Sequence, residues 1–272
     1  MKSLVALALI FVIIPAVPGK SDFLNRMLYN GLKPKSCLEI KYIRPSIKEN
    51  GVYTIFNERN SPYHVYCDFK SDALFVWTLI ESFDRNIGVW GSKVSNAWRS
   101  QRPYYINAPY DDTEPPHWSV YRMTAPNMLT ISKLNTTSHW RTTCNFNDYA
   151  QNITKDIERN DYMRNNMVNA NIVLIRQYYC RNFNYVIVRG YACVKCYLPF
   201  WASTNYHPTF LASHSVNYCG RYKFPDSSPS HQESDFGHYK GYSTKHACSS
   251  FGSSTANWWL GGLYQSLTNT ML

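Results

Sequence analysis

Hydrophobic positions along the chain fall into short blocks rather than long amphipathic stretches. Gly51-Val-Tyr-Thr-Ile-Phe56 alternates β-branched and aromatic residues, and His64-Val-Tyr-Cys67 follows after a turn-rich cluster at 57–62. Leu74-Phe-Val-Trp-Thr-Leu-Ile80 is apolar almost throughout, the pattern of a strand covered on both faces. Met128-Leu-Thr-Ile131, Ile172-Val-Leu-Ile175 and Tyr185-Val-Ile-Val188 are predicted as further strands. Residues 23–28 carry one or two weakly amphipathic helical turns. Residues 96–118, rich in Pro, Tyr and Asp, predict an ordered loop, and residues 207–248 a long irregular surface segment with a cysteine near each end. Many short strands against few helices predict an α+β, mainly β fold with long irregular loops.

The first residues have a different texture. Lys2 precedes an apolar run over residues 4–14, Pro15 ends it, and Val17-Pro18-Gly19 places small residues before Lys20. A positive start, a short apolar core and a small-residue exit form the layout of a signal peptide. The run is well short of the roughly 20 apolar residues that cross a bilayer. The chain is therefore expected to divide into a signal peptide (1–19), a short lead (20–35) and one large domain (36–272), with no membrane span and a secreted, extracellular destination. Two sequons, Asn135-Thr136-Thr137 and Asn152-Ile153-Thr154, are glycosylation acceptors on that route, and eight cysteines suit an oxidising compartment.

Composition adds a core and a charge. With 22 Tyr, 13 Phe and 8 Trp in 272 residues, there is ample apolar material, so disulfides would reinforce a fold rather than replace one. The net charge of +10 concerns partners, not fold. Lys and Arg are scattered singly, which is consistent with an ordinary soluble surface or with attraction to glycans and acidic extracellular matrix components. Nucleic acid is not expected, because no basic stripe is clustered. No heptad pattern or internal repeat is present.

Four pieces then fall in order: Ser36-Cys37-Leu38-Glu39-Ile40, Gly51-Val52-Tyr53-Thr54-Ile55, Tyr66-Cys67-Asp68 and Trp77-Thr78-Leu79-Ile80. This constellation resembles the opening of the fibrinogen C-terminal-like domain. The resemblance implies a Cys37–Cys67 disulfide joining the lead-in to the second strand of a hairpin. His246-Ala247-Cys248, Trp258-Trp259 and Gly262-Leu263-Tyr264 are similar to that family's closing pattern, where such residues border a ligand face. The family's second cysteine after the Trp pair is missing, and Leu260-Gly261-Gly262 stands there instead. Cys248 is left to pair elsewhere, with Cys219 as one candidate, or to stay free. Trp118-Ser-Val-Tyr-Arg122 and His139-Trp-Arg-Thr-Thr-Cys144 resemble elements of divergent invertebrate members, among them secreted cnidarian proteins, including proteins of coral skeletal organic matrix.

The resemblance implies a binding protein whose ligand face would draw on Tyr242, His246, Trp258 and Trp259. Aromatic faces with one or two polar donors suit a sugar or an acetyl group; the alternative is that the two adjacent indoles are simply core. The family's calcium loop maps onto 233–245, where only Glu233 and Asp235 offer carboxylates and Lys240 and Lys245 oppose a cation, so no metal is expected. Cys193-Val-Lys-Cys196 has the spacing of a redox pair or half a zinc site. It lies in a predicted strand with no second ligand pair, so structural disulfides with Cys144 and Cys180 are the expectation. No Gly-x-Ser-x-Gly elbow, His-Glu-x-x-His or carboxylate pair suggests catalysis, and no cofactor is implied. Glycan or matrix recognition and a purely structural matrix role are the two functional classes left.

Overall fold

The computed structural model describes residues 31–88, 102–110, 115–151, 161–175, 179–188, 191–201, 208–210, 219, 236, 248 and 251–265. The segment expected to be a signal peptide (1–19) and most of the expected lead (20–35) lie outside them. From Lys33 onward the chain forms one compact unit. Its helices are α1 (Cys37–Ile43), α2 (Arg85–Gly88), α3 (Ala125–Ser132) and α4 (Phe146–Gln151). Its strands are β1 (Gly51–Phe56), β2 (Pro62–Asp68), β3 (Phe75–Asp84), β4 (Val120–Arg122), β5 (His139–Cys144), β6 (Tyr162–Asn166), β7 (Tyr179–Val188), β8 (Tyr191–Trp201), β9 (Thr209–Phe210) and β10 (Thr255–Leu263). The mainly β expectation holds: one antiparallel sheet runs β1-β2-β3-β10-β5-β6-β7-β8-β9, with β4 alongside β3.

The β1–β2 hairpin forms as its alternation predicts, Gly51 opposite Cys67 and Phe56 opposite Pro62. Asn57 Oδ1 accepts from the N–H groups of Arg59 and Ser61, and Asn60 takes a left-handed conformation (φ 59°), so a local side chain organises the turn. β3 is longer than the apolar run suggests, and nine of its ten residues are buried because β2, β4 and β10 flank it and both faces are covered.

Two predicted strands are not strands. Met128 to Ile131 lies in α3, where Thr124 caps the Asn127 N–H and Pro126 occupies the first turn. Met128 and Ile131, one helical turn apart, are both fully buried. Ile172 to Ile175 is a single turn: the Asn171 carbonyl accepts from Leu174 and Ile175, and its side chain accepts from Val173. Residues 37–43 form α1. There Ser36 accepts from the Glu39 N–H, and Glu39 accepts from the Lys35 N–H in return. The described parts of the 96–118 segment are irregular, as expected, while most of 207–248 lies outside the described residues.

All eight cysteines are paired. Cys37–Cys67 ties α1 to β2, in agreement with the expected bond. The other three correct the expectations. Cys248 pairs with Cys144 at the end of β5, Cys180 pairs with Cys219, and Cys193 pairs with Cys196. In a regular strand three residues span about 10 Å, yet Cys193 and Cys196 have Cα atoms 6.0 Å apart. Lys195, in the left-handed region at φ 51°, supplies the kink that brings them together.

Candidate functional site

β10 positions the aromatic pair. Adjacent strand residues point to opposite faces, so Trp258 and Trp259 enter different layers. A register irregularity between them sets Trp258 opposite Glu81 and Trp259 opposite Leu79. Trp258 packs with Trp140 and Tyr104, at ring separations of 5.9 and 6.0 Å, and donates from Nε1 to the Phe236 carbonyl. Trp259 packs with Phe146 and Tyr66 and donates from Nε1 to Thr143 Oγ1. Neither indole has surface in contact with solvent. Each therefore pins one layer to the sheet, with its polar handle already used. Tyr242 and His246 lie outside the described residues, as do Asn152, Glu233, Asp235, Lys240 and Lys245. Asn135 is exposed in the turn after α3.

Gly261 and Gly262 of β10 have a steric reason of their own. A Cβ on Gly261 would lie 2.1 Å from the Val76 carbonyl oxygen, and one on Gly262 would lie 2.2 Å from that of Thr136. No side chain fits at either position.

Among the described residues two ion pairs are fully buried, and the Trp259 face carries the first. Arg141 of β5 donates to Asp68 and, at 2.7 Å, to Ser71 Oγ. Its guanidinium lies 4.7 Å from the Trp259 ring, 4.8 Å from Trp77 and 5.3 Å from Phe146. Asp68 also accepts from the N–H groups of Lys70 and Ser71. The Trp258 face carries the second. Arg122 Nη1 donates to Glu81 at 2.9 Å and to the Arg102 carbonyl, Nη2 donates to the Pro103 carbonyl, and Tyr104 donates to Glu81 at 2.7 Å. Burial pushes the Glu81 carboxyl up to about 7, with Arg122 pulling it back.

A third polar set stands nearer the surface. Tyr162 donates to Asp72 at 2.9 Å, and Arg164 Nη1 bridges both Asp72 oxygens at 3.2 and 3.3 Å. Arg164 lies 4.4 Å from the Phe75 ring, against which His139 stands edge-on at 5.0 Å. Ser138 Oγ is 2.8 Å from His139 Nδ1. That contact has the distance of a nucleophile–base pair but not its electrostatics. Burial, and then the Arg164 cation, hold His139 down to about 4, so its imidazole is neutral and weakly basic near neutrality. Asp72, the carboxylate beside it, is engaged by Tyr162 and Arg164. Burial raises the Tyr162 hydroxyl, with Asp72 adding to the shift.

Sequence reasoning misses this set because Asp72 and Arg164 are 92 positions apart and no spacing motif joins them. Among the described residues no group of three or more His, Cys, Asp or Glu could hold a metal ion, and no helix is long and apolar enough to cross a membrane. No protein-family model matches the chain. No curated protein matches it either.

Proposed function

We propose that the chain is a secreted extracellular recognition protein, a divergent fibrinogen-like domain that engages acidic glycans or acidic matrix components through its basic surface without catalysing a reaction. Where the charge sits carries this reading. Arg141 with Asp68 and Arg122 with Glu81 are internal, mutually paired units, so the excess of +10 belongs to the rest of the molecule. The leader at 1–19 and the full pairing of the cysteines support an extracellular address. The ordered strand motifs and the Cys37–Cys67 bond support the fibrinogen-like frame.

A structural role in an extracellular organic matrix is the second reading, and the complete burial of Trp258 and Trp259 favours it. Those indoles build a scaffold and present no face to a sugar. A glycan array separates the two. Saturable binding to sulfated or carboxylated glycans that weakens as salt rises supports recognition. Silence on acidic and neutral glycans alike sinks that reading and leaves the scaffold.

A further inference from the structure

We propose that Cys193–Cys196 is a thiol–disulfide exchange site, an internal dithiol couple that a thiol reductant opens without unfolding the protein. Three of the four disulfides join residues 30, 39 and 104 positions apart and tie distant parts of the chain together. This one joins residues 3 positions apart within β8 and constrains almost none of the unfolded chain. β7 pairs with β8 along the same stretch, with Phe183 opposite Cys196 and Val186 opposite Cys193, so the strand is held whether or not the sulfurs are bonded.

The surroundings fit exchange chemistry. Cys193 is 7% exposed and packs into the core, whereas Cys196 is half-buried. Val194 and Tyr197 beside them are 67% and 48% exposed, an apolar rim on which a thiol-bearing partner could seat. Lys195 is exposed and next in sequence to Cys196, and an ammonium there attracts an incoming anionic thiolate to the more accessible sulfur. Its left-handed backbone at φ 51° is unfavourable for a side-chain-bearing residue, and strained residues of this kind gather at functional positions. On β7, Asn184 lies between Phe183, opposite Cys196, and Tyr185, opposite Val194, and its Oδ1 is buried without a hydrogen-bond partner among the described residues.

The step balances as ordinary exchange. A thiolate attacks Cys196 Sγ, a new sulfur–sulfur bond forms, and Cys193 Sγ leaves as a thiolate and takes a proton from solvent. A second thiolate attacks the outer sulfur of the mixed disulfide and releases Cys196. Two thiols are oxidised to one external disulfide as the internal one is reduced to a dithiol.

The test uses the full secreted chain under native conditions with graded reduced glutathione or, in a parallel arm, dithiothreitol. Alkylation and peptide mass spectrometry then locate the opened cysteines. Cys193 and Cys196 should be labelled at reductant concentrations at least about tenfold below those opening any other pair, with circular dichroism unchanged. Earlier opening of Cys37–Cys67 or Cys180–Cys219, or opening of Cys193–Cys196 only as the dichroism collapses, overturns the proposal. Cys193→Ser and Cys196→Ser each leave one thiol. The Cys196 thiol should react with oxidised glutathione about tenfold faster than the Cys193 thiol, and equal or reversed rates overturn Cys196 as the attacked sulfur.

Discussion

Replacing Arg141 with methionine isolates what the buried ion pair contributes. Methionine fills much of the same volume, so the loss is chiefly electrostatic. Arg141→Met removes the cation from Asp68, whose side chain has no solvent exposure, and takes it from three ring faces within 5.3 Å. Breaking one partner out of a buried pair costs about 3–5 kcal/mol, and a desolvated cation–ring contact is worth up to about 2. Asp68 keeps its bonds from Lys70 N–H, Ser71 N–H and Ser71 Oγ, which places the expected loss near about 4 kcal/mol. For a domain of this size that is a fall in Tm of about 10 °C. Urea unfolding of the disulfide-intact protein, followed by tryptophan fluorescence, measures it. Asp68→Asn combined with Arg141→Met should cost clearly less than the two single changes added together, because neither charge is then left alone. A loss below about 1 kcal/mol, or full additivity, would refute the argument that these groups form a dry, mutually dependent pair.

Gly261→Ala should destabilise far more than an ordinary surface change, because its methyl group meets the Val76 carbonyl at 2.1 Å; a melting curve within error of the parent would contradict the close strand approach. Glu81 and His139 should give opposite pH slopes. Glu81, raised to about 7, binds its proton more readily when folded, so its contribution is present below about pH 4.5 and lost as pH rises through 7. His139, lowered to about 4, favours folding above about pH 6.5, and that contribution is lost as pH falls towards 4. Comparing the stability profiles of Glu81→Gln and His139→Gln with the parent should show each slope flattened in its own direction. Asn135→Gln should lower the mass of protein secreted from eukaryotic cells by one glycan, since Asn135 is exposed; an unchanged mass would remove that site.

How much was legible follows from range. The β1–β2 hairpin was readable because its alternation and turn residues lie within 18 consecutive positions. Met128 to Ile131 misled because a short apolar run carries no period of its own; the deciding signals were the cap at Thr124 and the proline at 126, just outside it. The cysteine pairing could not be derived from spacing, and Cys193–Cys196 depends on one residue's left-handed backbone. Trp258 and Trp259 were recognisable as important, but whether they faced a ligand or a core depended on cover over both faces of β10. That cover comes from residues as distant as Tyr66 and Tyr104. The Asp72, Arg164 and His139 set had no signature, because three separate parts of the chain supply it.

The position of β10 has a consequence for how the molecule is made. Among the described strands it is the latest in chain order, yet it lies between β3 and β5 and joins the two halves of the sheet. While the ribosome is still upstream of residue 255, β1 to β4 and β5 to β9 are two unjoined sheet fragments, each with an open edge where β10 belongs. Assembly of the centre must wait for the last strand. A nonsense mutation shortly before Thr255 would therefore not trim the periphery: it would leave two sticky half-sheets, the kind of species that quality control retains and that aggregates when it escapes.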